Sequence, residues 1–89
     1  MDFEFDPNKS QLNRQKHGLD FVDAQNLWLD DARVIIPAKT TDEPRFAIIA
    51  QWDGRLWTGI FTMRNQRIRL ISVRRARVEE KELYESPAI

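Results

Sequence analysis

The hydrophobic positions between Asp20 and Trp28 recur at helical spacing, and from Arg33 the period changes to two. Phe3-Glu4-Phe5 predicts a short opening strand. Asp6-Pro7 then reads as an N-cap followed by proline at the first helical position, predicting a helix to about His17 with Gly18 as its left-handed cap. Leu12 is nearly the only large apolar residue of that helix, so it can bury little, while Lys9, Asn13, Lys16 and His17 fall near one face. A second helix is predicted from Asp20 to Asp30-Asp31, where Phe21, Ala24, Leu27 and Trp28 form a stripe that needs a sheet to cover. Next come a strand at Val34–Ile36 closed by Pro37, a polar connection from Ala38 to Glu43, and strands at Arg45–Trp52, Arg55–Met63 and Gln66–Arg74. Asp53-Gly54 is the strongest hairpin signal available. A terminal helix is predicted over Val78–Tyr84, its early glutamates favoured by the helix dipole.

Two-residue turns fix which side chains share a face. A turn at Asp53-Gly54 sets Trp52 opposite Arg55, hence Phe46 opposite Phe61 and Arg45 opposite Thr62. A like turn at Asn65-Gln66 sets Phe61 opposite Leu70 and Thr62 opposite Arg69. One face then carries Phe46, Ile48, Trp52, Trp57, Phe61, Met63, Ile68 and Leu70, the expected core. The other presents Arg45, Thr62, Arg64, Arg67 and Arg69 at the Asn65 end. Beyond these it presents an apolar strip, Ala47, Ile49, Ile60, Ile71 and Val73, which the terminal helix or a partner protein must cover.

Composition adds a charge dipole. The formal net charge is +0, yet residues 44–78 hold eight arginines against one aspartate, while residues 1–43 and 79–89 are net acidic. The planar arginine fork matches phosphate oxygens, so a polyanion is one explanation; solvated strand ends account for the charge equally well. With 89 residues and no cysteine, one domain without a disulfide framework is expected. A single His and scattered acids argue against a metal site. Absence of a long apolar run or an apolar leader argues against membrane spanning and secretion, and a cytoplasmic setting is expected. Walker, dinucleotide-binding and nucleophile-elbow motifs are missing.

The arginine end of the second face is the leading chemical candidate, because converging guanidinium groups repel unless an anion or an acidic partner relieves them. His17 is the one side chain whose ordinary pKa suits proton transfer near neutrality, although a base in a last helical turn also simply complements the dipole. Lys9 and Lys16 carry the same two readings. Arg74, Arg75 and Arg77 follow the last strand. Arg67 and Arg74 lie seven residues apart, roughly 23 Å along a strand, too far to serve one phosphate.

Three segments in order, FEFDPNK, NRQKHGLDFVDA and RNQRIRLISVRRA, resemble the BrnT-type toxins over nearly the whole chain, from Phe3 to about Tyr84. Phe5 stands where Trp is usual, and Asn65-Gln66 where a Gly-Asp turn is usual. Family positions present here are Glu4, Asp6, Lys9, Asn13, Lys16, His17, Arg64, Arg69, Ser72 and Arg74. The resemblance implies an α+β, RelE-like fold: a short N-terminal strand, two helices, an antiparallel sheet of three to four strands and a C-terminal helix. It also implies an RNA-cleaving toxin that halts translation in bacteria, and a BrnA-type antitoxin with a ribbon-helix-helix domain that masks it. Operator DNA would be met only through that antitoxin.

On this reading cleavage needs no metal or other cofactor. His17 or Lys16 transfer protons and Arg64 and Arg69 stabilise the phosphate. Lys9, Arg45, Arg67, Arg74, Arg75 and Arg77 bind RNA, and the strip Ala47, Ile49, Ile60, Ile71 and Val73 meets the antitoxin. The alternatives are a non-catalytic RNA- or ribosome-binding module and a structural subunit of a DNA-bound repressor.

Overall fold

A computed structural model describes residues 1–39 and 42–86. Its elements are β1 (Phe3–Glu4), α1 (Pro7–His17), a 3₁₀ segment (Asp23–Leu29), β2 (Val34–Ala38), β3 (Arg45–Trp52), β4 (Arg55–Arg64), β5 (Arg67–Arg75) and α2 (Val78–Glu85). The five strands form one sheet in the order β1-β5-β4-β3-β2. The fold is thus α+β as expected, but the sheet is mixed: four antiparallel strands, with β1 added parallel to β5 through Phe3↔Ile68 and Glu4↔Arg69. Residues 40 and 41 of the predicted polar connection lie outside the described residues.

Both tight turns form as two-residue loops. Asp53 and Gly54 sit at φ 54° and 73°, Asn65 and Gln66 at 52° and 66°. Positive φ at both central positions matches the right-handed twist of the flanking strands. The register follows, with Trp52↔Arg55, Phe46↔Phe61, Phe61↔Leu70 and Thr62↔Arg69. The core lies on one side of the sheet, where Phe21, Leu27 and Trp28 meet Ile48, Trp57, Phe61 and Leu70. Trp28 and Phe61 stack edge to face at 5.1 Å between centroids. Phe46 and Trp52 are only partly buried against this cluster. Met63, expected in the core, is 51% exposed near the end of its strand.

Three other expectations are corrected. The second helix is a 3₁₀ segment, and it starts at Asp23 rather than Asp20. The Asn26 side chain donates to the Asp23 carbonyl at 2.9 Å, so the acceptor of an α-helical turn is shared with a side chain. Asp30 and Leu27 then close an i→i+3 bond at 3.3 Å. β2 runs through Pro37 to Ala38, which an edge strand tolerates because the missing N–H points away from the ladder. Finally, β5 is bulged. Phe61 pairs with Leu70 and Ile60 with Ser72, so Ile71 has no partner.

The bulge reverses the facing of everything after it in β5. Val73 pairs with Gly59 and is fully buried in the core, not on the apolar strip. A Cβ on Gly59 would lie 3.1 Å from the Ile48 side chain, so glycine gives Ile48 its room while Val73 packs beside it. Ser72 and Arg74 move to the second face with Ile60 and Thr58.

Candidate functional site

The first helix begins where Asp6 accepts a hydrogen bond from Asn8 N–H at 2.9 Å, with Pro7 at the first helical position. It ends at Gly18, φ 87°, whose N–H reaches the Arg14 carbonyl. Hydrophobic burial does not hold it, since Leu12 is 61% exposed. Buried polar groups hold it instead. Ser10 Oγ accepts from Phe21 N–H at 2.8 Å. The Asn13 amide donates to the carbonyls of Leu19 (2.6 Å) and Val73 (2.8 Å), and its oxygen accepts from Val73 N–H at 3.1 Å. A side-chain amide thereby completes the ladder at the edge of β5 that β1 leaves open.

This clamp fixes the rotation of α1 about its axis. Lys9, Lys16 and His17 face Ile71 and Ser72 across an open cleft of about 520 Å³. The bulge and the helix therefore build the cleft together, one turning Ser72 onto the second face and the other aiming three basic side chains past it. Among the described residues neither Lys9 nor Lys16 makes an ion pair. His17 is half-buried. Arg69 stands on the same face of β5, with its Nη1 3.7 Å from a Glu4 oxygen.

The predicted arginine row exists but is not one constellation with His17. Arg64 and Arg67 pair across the Asn65-Gln66 turn and are exposed, and Arg64 lies 3.6 Å from Glu43. Arg45 is half-buried, and its Nε has no hydrogen-bond partner among the described residues.

Arg74 is a separate case. Its two terminal nitrogens each bond one Glu80 oxygen at 2.8 Å, a bidentate fork. Glu80 Oε1 also accepts from Thr58 Oγ1 at 2.9 Å and from Arg77 N–H at 2.8 Å. The Arg74 guanidinium, with the other two donors, holds the Glu80 carboxyl down at about 2. Arg74 is therefore an anchor for α2, its fork already filled, rather than an open phosphate ligand. Arg75 lies over the Trp57 ring, 5.6 Å from its centroid, and Arg77 is the exposed N-cap of α2.

Of the apolar strip, Ala47, Ile49 and Val73 are buried within the chain, while Ile60 and Ile71 are half-buried. Sequence reasoning placed Asn13 beside the basic residues and missed its clamp, for which spacing carries no signal. It also missed Glu80 as the partner of Arg74.

Among the described residues no three His, Asp or Glu side chains gather so as to hold a metal ion, and no helix is long and apolar enough to cross a membrane. No curated protein matches the chain at a significant level. A family model described as "Ribonuclease toxin, BrnT, of type II toxin-antitoxin system" matches residues 5–80, a span running from just before the α1 cap, through the cleft, to the Glu80 anchor. With most of its length inside that match, the chain belongs to the BrnT family of ribonuclease toxins, whose type II systems pair each toxin with a cognate antitoxin.

Proposed function

We propose that this toxin cuts RNA without a metal ion, at the cleft between α1 and the β5 bulge. The 2′-hydroxyl attacks the adjacent phosphorus; the new O2′–P bond forms as the P–O5′ bond breaks, leaving a 2′,3′-cyclic phosphate and a 5′-hydroxyl. One basic group must take the 2′ proton and another must return a proton to the leaving oxygen. Lys16 and His17 are assigned these transfers. Lys9 and Arg69 are assigned the charge that builds on phosphate, the kind of stabilisation that contributes most in such reactions. Arg64, Arg67 and Arg45 guide the strand from the hairpin end.

The observation that carries this reading is the gathering of Lys9, Lys16 and His17 opposite Ser72 in one cleft of a ribonuclease-family chain. The antitoxin is taken to be a ribbon-helix-helix protein acting in the same cytoplasm. It covers Ile60 and Ile71, and because Ile71 lines the cleft, that contact also closes it. Operator DNA is reached through the antitoxin alone, and free toxin stops translation.

The test is purified chain with RNA in EDTA. Cyclic-phosphate ends should form, and RNA with 2′-deoxy substitution at the cut site should survive. His17→Ala, Lys16→Ala and Arg69→Ala should each lose ~10²–10³ in rate at saturation with the fold intact. Cleavage abolished by EDTA defeats the metal-free mechanism. Cleavage undiminished in all three variants moves the site elsewhere.

A further inference from the structure

A second basic cleft lies at the end of the sheet, between the Asp53-Gly54 turn and α2. It encloses about 390 Å³ and is lined by Arg55, Arg75 and Lys81 together with Tyr84 and Glu85. The geometry points to a phosphate-binding subsite for the RNA strand beyond the point of cleavage, a role that rests on the ribonuclease reading above.

Three cations share this cleft with one carboxylate, and among the described residues none of the three forms an ion pair. Elsewhere Arg64, Arg69 and Arg74 each stand beside an acid of the chain itself. Unrelieved like charge in one recess is unfavourable unless an external anion neutralises it. Nor does the cluster simply splay into water, for Arg75 rests on the Trp57 ring at 5.6 Å. That contact leaves the guanidinium N–H groups without a hydrogen-bond partner among the described residues, so they are free to meet a phosphate. Tyr84 is held as well, its hydroxyl donating to Asp30 Oδ2 at 2.7 Å. A fixed ring beside unpaired cations is the combination by which single-stranded nucleic acid is bound without sequence preference.

Position fits the same ligand. Arg75 follows Ser72 by three residues on β5, roughly 10 Å along the strand. It projects from the opposite face, but β5 ends at Arg75, so a chain leaving the first cleft need only turn the end of the sheet. Arg74, between them, is closed off by Glu80. A polyanion with repeating phosphates can engage both clefts at once, which a single small anion cannot. An acidic antitoxin segment is the competing occupant, and the experiment separates the two.

The probe is a 2′-O-methyl RNA long enough to span both clefts, which binds without being cut, alongside a dinucleotide analogue that fills only the first. The variant is Arg55→Ala/Lys81→Ala, two exposed positions outside the cleavage cleft. For single strands each phosphate contact adds about 0.7 to the slope of log affinity against log salt, so the double variant should lower that slope by about 1.4 on the long probe. Dinucleotide binding and the saturated cleavage rate should stay at wild-type values. An unchanged slope overturns the proposal, as does equal weakening on both probes. Weakened antitoxin binding with an unchanged RNA slope also overturns it and gives the cleft to the protein partner. Because the slope is read on uncut RNA, a wild-type chain that shows it but never cleaves RNA defeats the ribonuclease reading alone.

Discussion

Both helices lack a useful apolar face, and the chain fixes them to the sheet in opposite ways. The first, α1, buries Ser10 and Asn13, and every bond they make is to backbone: Phe21 N–H, the Leu19 carbonyl and both polar groups of Val73. The second, α2, buries no residue at all; it is tied by Glu80 to Arg74 and Thr58, and by Tyr84 to Asp30. Neutral bonds inside a dry seam are insensitive to salt and pH, whereas charged bonds reached by solvent are weakened by both. A helix that carries candidate proton-transfer groups benefits from the first kind of attachment. A helix that lines the proposed RNA-strand subsite can tolerate the second.

Phe61→Ala sets the upper mark, about 3–5 kcal/mol for truncating a buried aromatic in urea unfolding. Asn13→Ala should approach it, at about 3 kcal/mol, because two carbonyls and one N–H lose their partner in a buried site. If Asn13→Ala costs less than about 1 kcal/mol, the clamp is not what holds α1. Glu80→Gln should cost less, about 1–2 kcal/mol at pH 7, since solvent reaches the pair and screens it. Hydrogen exchange should show α2 opening in that variant while α1 stays protected.

Protons sharpen the contrast. The Glu80 carboxyl titrates lower in the folded chain than in the unfolded one, about 2 against 4.5. Its stabilisation is therefore present above pH 4.5 and lost as pH falls from 4.5 toward 2. The stability difference between wild type and Glu80→Gln should close over that window. Tyr84→Phe is the smallest effect, about 0.5–1 kcal/mol. The bond to Asp30 raises the Tyr84 hydroxyl to about 12, so this contribution is complete below pH 10 and disappears between 10 and 12. A melting curve for Tyr84→Phe that matches wild type at pH 8 would remove Tyr84 from the attachment.

Much of the sheet was legible because turn chemistry and alternation are local. Asp53-Gly54 fixed the pairing of Phe46 with Phe61, seven residues out on either side, and the pairing of Thr62 with Arg69 followed from Asn65-Gln66. The bulge at Ile71 was not legible, since Leu70-Ile71-Ser72-Val73 alternates as well unbulged. One missed residue turned Val73 from surface strip to core and made Arg74 a neighbour of Glu80. The 3₁₀ segment still buries the predicted apolar residues, since Ala24, Leu27 and Trp28 all join the core. In the candidate cleft, the basic spacing on α1 could be read directly from Lys9, Lys16 and His17. The surface opposite could not, because Ile71 and Ser72 come from a segment whose approach depends on Asn13, 60 residues from Val73.

That separation also sets an order of assembly. A chain is synthesised from its N-terminus, so α1 is made before β5, whose backbone it clamps. Until Val73 emerges, Lys9, Lys16 and His17 face no opposing wall, and β1 has no strand to join. Contacts this distant along the chain close late and slowly. The candidate cleft thus acquires its second wall only once β5 has been made.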